Sequence, residues 1–253
     1  MEDKAVKCKR FCRNFLLLIL TLSILTVPSY AGKARTIDDT TPCNWYCKHV
    51  KNGESPQIPS EFSFILDYDG VFWDDKTSEN EKVIYLTFDA GYVNENVETI
   101  LNVLEKHGAT GAFFILDHVI LDSPDLVRQM VNSGNLVCNH TLKHKDMTKV
   151  STIEDFSSEL KALEDLFREC TGQEMPKFYR PPEGKFSRQN MQFAKELGYH
   201  TVFWSFAYAD WDNNHQMSPD KALQKILDAT HNGEIILLHP TSATNAAIMD
   251  QLL

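Results

Sequence analysis

Residues 83–116 read VIYLTFDAGYVNENVETILNVLEKHGATGAFFIL. Two short apolar runs, VIYLTF (83–88) and GAFFIL (111–116), enclose a segment in which Val97, Ile100, Leu101, Val103 and Leu104 recur at helical spacing. Short β-branched and aromatic runs read as buried strands, and the recurrence between them predicts an amphipathic helix over 94–107. Gly108 supplies its stop. The stretch is a strand–helix–strand unit, and the same alternation continues downstream.

A helix is predicted over 123–133, opening on Ser123-Pro124 and stopping before Gly134. The strand LVCN (136–139) follows, then a helix over 152–170, the short strand KFYR (177–180) and a helix over 187–197 closed by Gly198. HTVFWSF (200–206) reads as one strand, 219–231 as a helix ending near Gly233, and EIILLH (234–239) as the last strand. Repeated units of this kind put parallel strands inside and helices outside. A (β/α) barrel and an open doubly wound sheet both satisfy the pattern. No GxGxxG follows the first strand, which argues against dinucleotide binding.

Upstream, residues 32–75 are polar and turn-rich, with Pro42, Gly53, Pro56 and Pro59, and read as an irregular N-terminal arm. Residues 1–31 read differently again. Lys4, Lys7, Lys9, Arg10 and Arg13 precede the apolar run FLLLILTLSILTV (15–27) and the small-residue site Ser29-Tyr30-Ala31. This is the pattern of a secretory signal peptide cut after Ala31, and the run is short of the roughly 20 residues a spanning helix needs. The expected location is therefore exported, in the cell envelope or outside the cell.

Residues 1–31 hold five of the 25 Lys/Arg and two of the 35 Asp/Glu, so their removal takes the net charge from −10 to −13. Such a surface repels nucleic acid. Composition is otherwise ordinary for a globular chain with one sizeable core. Cys43, Cys47, Cys138 and Cys170 remain after the leader. Four scattered cysteines make no disulfide framework, and their pairing stays open.

Reactive residues recur at strand C-terminal ends: Asp89, Asn139-His140, Arg180, Asp210 and His239. In a β/α barrel those ends converge on one face, where active sites sit. Asp89 is either a general base or a helix cap. His140 and His144, at i and i+4, would share one side of a helical turn and could chelate a divalent metal; the bland alternative is two solvated loop histidines. Arg180 precedes Pro181-Pro182, so its backbone is stiff, which suits a guanidinium that holds a carboxylate. His239 ends an apolar strand, where a core histidine is common, but Asp210 could orient it as a general acid. Trp204, Tyr208 and Trp211 make either core or a sugar-stacking wall.

TFDAG, HTLKH, RPPEG, ADW and LLH stand in the order and approximate spacing of the five motifs of the polysaccharide deacetylases, the NodB-like family 4 of carbohydrate esterases. The resemblance covers 83–240. NWY (44–46), IYLTFDAGY, FWSFAYADWD and NGEIILLH further resemble the delta-lactam-forming muramic acid de-N-acetylases of spore-forming Firmicutes. The resemblance implies a distorted (β/α) barrel over residues 76–253 and a metal-assisted amide hydrolysis. It makes Asp89 the general base, His140 and His144 the metal ligands and Arg180 the group that holds Asp89. His239 becomes the acid that protonates the leaving amine, supported by Asp210, and Leu237, Trp211 and Pro181 become substrate-binding residues. The implied cofactor is a divalent metal, zinc first, with cobalt or manganese as alternatives. The implied partners are peptidoglycan glycan strands, with acetate as product and an N-acetylmuramoyl amidase acting beforehand. N-acetylglucosamine is the alternative target, and a non-catalytic glycan-binding protein the alternative class.

Two departures stand out. Most of the family has a second Asp after the base as third metal ligand, where this chain has Ala90. After His239 the chain runs PTSATNAAIMDQLL, where the family continues through a helix and a last strand. The expectation is a barrel closed differently or shortened by those elements.

Overall fold

The computed structural model describes residues 39–77 and 81–253. The leader read at 1–31 lies outside them, as does the start of the arm. Nine strands occur among the described residues. β1 (Cys43–Asn44) pairs antiparallel with β6 (Lys185–Phe186). The other seven are β2 (Ile84–Ala90), β3 (Ala112–Ile115), β4 (Leu136–Asn139), β5 (Phe178–Tyr179), β7 (His200–Thr201), β8 (Phe206–Ala207) and β9 (Glu234–Leu238). They form one all-parallel sheet in the order β7-β5-β4-β3-β2-β9-β8. Its helices are α1 (Glu95–His107), α2 (Asp117–Asp122), α3 (Pro124–Asn132), α4 (Ile153–Thr171), α5 (Arg188–Glu196), α6 (Pro219–Ala229) and α7 (Ala243–Leu252). The architecture is a distorted α/β barrel.

Side chains alternate across each strand. On β2, Leu86, Phe88 and Ala90 join the apolar layer beneath the helices, where α1 contributes Val97, Ile100, Leu101 and Leu104. Phe88 stacks on Phe113 of β3 with ring centroids 4.7 Å apart. That stack needs Gly111, since a Cβ there would stand 2.7 Å from Phe88 Cε2. The opposite face of the sheet packs Phe114, Cys138, Val202 and Ile235 with Tyr85 and Phe178. Asp89 lies one residue out of phase with Phe88 and Ala90, so the pleat turns it away from the helix layer.

The run 200–206 is not one strand. β7 and β8 lie at opposite edges of the sheet, and residues 202–205 cross between them. The amide of Val202 donates to Tyr179 O at 2.8 Å on one side, and that of Ser205 to Ile235 O at 2.9 Å on the other. Midway, Phe203 N donates to Val71 O at 2.7 Å, and Val71 N to Thr201 O at 2.9 Å. Single bridges Val71↔Val202 and Trp73↔Glu234 complete a seam. The arm thus satisfies Thr201 O at the β7 edge and Phe203 N on the crossing.

The arm is therefore more ordered than its composition predicts. Ser60–Tyr68 is a 3-10 helix, and Phe62, Phe64 and Ile65 pack with Trp45, Phe72, Phe186 and Phe203 in a second core. Trp45 Nε1 donates to Trp204 O at 2.9 Å.

The C-terminal segment also differs from expectation. Residues 243–252 form a helix, one of the two elements the shortened reading would lack. α7 begins with Ser242 accepting from Asn245 N, and it buries Ile248 and Met249. No strand follows α7 among the described residues. Cys43, Cys47, Cys138 and Cys170 are free thiols.

Candidate active site

Asp89 and Arg180 form the inner half of the site. Arg180 follows β5 and reaches across the barrel mouth to Asp89 on β2, donating from Nη1 to Oδ1 at 2.8 Å. Its Nη2 donates to Thr87 Oγ1 at 2.8 Å and to Phe203 O at 3.3 Å, and Nε donates to Val202 O at 3.1 Å. The guanidinium is completely buried and lies 4.1 Å from the centre of the Phe114 ring. Pro181 is buried and extended, with φ −65° and ψ 133°, which fixes the chain beside Arg180. Burial alone would raise the Asp89 carboxyl, but His140, Arg180 and His239 together outweigh it and hold the group below its ordinary range. At neutral pH the permanent charge among these is that of Arg180.

His140 follows β4 and is 2% exposed. Its Nδ1 lies 2.8 Å from Arg180 O, a group that only accepts, so Nδ1 carries the proton. The lone pair is left on Nε2, 3.6 Å from Asp89 Oδ2. Burial, partly offset by Asp89, pushes this imidazole down to about 4, so it is neutral at pH 7. The ring of His144 stands 5.0 Å from that of His140 at 71°. The predicted helical turn is absent: Thr141 and His144 take φ of 70° and 57°, and it is this left-handed loop that brings the rings together.

A neutral imidazole with a free Nε2 lone pair, beside a second imidazole, fits a divalent ion as two nitrogen ligands. Among the described residues, no group of three or more His, Cys, Asp or Glu is placed to hold an ion. Ala90 is fully buried in the apolar layer and offers no donor.

His239 and Asp210 form the outer half. His239 follows β9, and its Nδ1 donates to Asp210 Oδ1 at 2.7 Å while its own amide donates to Asp210 Oδ2 at 2.7 Å. Asn245 at the start of α7 donates from Nδ2 to Asp210 Oδ2 at 2.5 Å and to His239 O at 3.0 Å. Tyr208 donates to Asn245 Oδ1 in turn. Asp210 is 1% exposed, whereas the His239 side chain is 26% exposed, with Nε2 making no hydrogen bond among the described residues. Burial would lower His239, but the Asp210 hydrogen bond and charge, with Asp89 adding, raise it above the ordinary histidine value.

Leu237 is buried two residues before His239 on the same strand face. Trp211 is 61% exposed, its ring 6.1 Å from that of His239. The hollows lined by Lys51, Asn52 and Asp228 and by Asp67, Gln192 and Glu196 contain none of these residues. Two contributors escaped the sequence. Thr87 stands inside TFDAG but reads only as strand, and Asn245 lies beyond the last motif.

This geometry pairs a cation-held carboxylate with a carboxylate-held imidazole on separate strands. A profile of the polysaccharide deacetylases matches residues 76–202. The chain belongs to the polysaccharide deacetylase family. It is 36% identical to the peptidoglycan-N-acetylmuramic acid deacetylase PdaA of Bacillus subtilis, over 83% of this chain and 78% of that protein. The solved PdaA structure, a family 4 carbohydrate esterase, superposes with a TM-score of 0.79 over 84% of this chain and 90% of that one. A family 4 carbohydrate esterase from Bacillus anthracis gives a TM-score of 0.67 at 31% identity, covering 84% and 88%. A peptidoglycan-N-acetylglucosamine deacetylase of Bacillus cereus is 30% identical over 64% of this chain and 57% of its own length. As a polysaccharide deacetylase the chain is a hydrolase of acetamido groups on a glycan.

Proposed function

We propose that this deacetylase removes the acetyl group from N-acetylmuramic acid residues of peptidoglycan, and that the freed amine then closes a delta-lactam on the lactyl carboxylate. The observation that carries the deacetylation is the pair of oriented couples, Asp89–Arg180 and His239–Asp210. The similarity to PdaA supports the choice of sugar. Ring closure needs a lactyl carboxylate already freed of its stem peptide, so an N-acetylmuramoyl amidase acts first. The N-terminal leader pattern supports export to the compartment where that polymer lies.

Asp89, kept ionised by Arg180, takes a proton from the attacking water. His239, protonated and held by Asp210, gives its proton to the departing amine, which is otherwise a poor leaving group. Leu237 and Trp211 enclose the acetyl methyl, with Pro181 bracing the wall behind Arg180. His140 and His144 would hold a divalent metal, zinc first, cobalt or manganese as alternatives, whose chemistry there is to polarise the carbonyl and lower the pKa of water.

Incubation with peptide-free glycan strands tests this: acetate is released and mass spectrometry finds the loss on muramic acid. Loss on N-acetylglucosamine instead would favour the second reading, which the similarity to the Bacillus cereus enzyme motivates. Ala90 motivates a third reading, a non-catalytic glycan-binding protein. It requires glycan binding without turnover, in the parent and in Asp89→Asn alike.

A further inference from the structure

The loop that carries the two imidazoles holds two left-handed residues, Thr141 and His144, neither of them glycine. Each is strained and persists only where neighbours over-determine it. Its local ties are short: Thr141 N donates to Asn139 Oδ1 at 2.9 Å, and Lys145 N to Thr141 Oγ1 at 3.1 Å. The ties from outside come from two acids. Asp117, the first residue of α2, donates its amide to Leu142 O at 3.1 Å and takes Lys143 Nζ on Oδ2. Its side chain is 4% exposed, and Oδ1 lies 3.0 Å from Nδ1 of its neighbour His118. Glu159 of α4 accepts from Lys143 N at 3.3 Å and faces Lys145 Nζ at 4.0 Å.

Asp117 therefore grips the residues on either side of the Leu142–Lys143 peptide, between His140 and His144. A buried carboxylate is costly unless its contacts compensate it, and of the two that Asp117 makes, the one to Lys143 lies on the loop. We propose that Asp117 is a positioning residue for the histidine pair: through Leu142 and Lys143 it holds the strained 141–145 loop in the conformation that sets His144 against His140. The metal side of this rests on the ligand roles assigned above; the loop side does not.

The test uses Asp117→Asn and the double variant Asp117→Asn/Lys143→Met, which removes both charges together and leaves no buried charge alone. Two readouts are taken without substrate: Co²⁺ affinity by visible absorption, and amide hydrogen exchange at Thr141 and Lys145. In both variants, still melting cooperatively, Co²⁺ binding weakens about tenfold or more and exchange at the two amides accelerates, while exchange in β2 and β9 stays as in the parent. Parental exchange at Thr141 and Lys145 in folded variants overturns the proposal. So does parental Co²⁺ affinity. A parent that takes up no Co²⁺ strikes the ligand assignment instead, and the exchange readout alone then decides the role of Asp117.

Discussion

Arg180 shows how much of the site one residue organises. Completely buried, it donates to a side-chain carboxylate, a side-chain hydroxyl and two backbone carbonyls. Arg180→Met would leave Asp89 uncompensated and should cost about 3–5 kcal/mol in denaturant unfolding; Arg180→Lys should recover only part, lacking the fork. Because the folded value of Asp89 is depressed, the stability it contributes is present above the ordinary carboxylate range and is lost as pH falls through that folded value. His239 runs the other way. Raised by Asp210, it is protonated further into the neutral range, and kcat should fall as pH rises through its folded value. Asp210→Asn should shift that alkaline limb to lower pH and reduce kcat by about 100-fold or more. Asp89, Arg180, Asp210 and His239 were legible because each follows an apolar run at a strand end. Asn245 and Asp117 were not, since both act through partners distant in sequence.

At the scale of elements, long periodic segments were readable to within a residue or two, as at α1, α3, α4 and β4. The exceptions are physical. Residues 200–206 are apolar throughout, and nothing local says that one run feeds two edges of a sheet. Pairing of Val202 with Tyr179 and of Ser205 with Ile235 decides it, and both contacts are long-range. α2, with six residues, is too short to show a period. The seam that closes the barrel depends on Gly233, with φ 75°, where a Cβ would lie 2.1 Å from Asp74 O. Gly233→Ala should therefore cost at least about 1–2 kcal/mol from the backbone alone, and more from the clash; a lowered melting temperature with faster exchange at Asp74 would register it.

For the whole molecule, the barrel buries a carboxyl group that its chemistry does not use. Glu234 opens β9, completely buried, with neither carboxyl oxygen hydrogen-bonded, and burial pushes it up to about 8. The folded state thus keeps a proton that the unfolded chain loses near the ordinary carboxylate value. Stability should decline from about pH 5 to about pH 8, by up to about 1.4 kcal/mol per unit, and level off above. Glu234→Gln should flatten that decline in melting curves taken across the range. This dependence is separable from catalysis, because Glu234 sits at the opening residue of a strand whose far end carries His239.

The measurement closest to the central claim is acetate release from peptide-free glycan strands by the parent, Asp89→Asn and His239→Ala, each checked for cooperative melting. The account expects release by the parent and a loss of at least about 100-fold in either variant. Release that survives both substitutions, or a folded parent that binds the strands and frees no acetate, would contradict it.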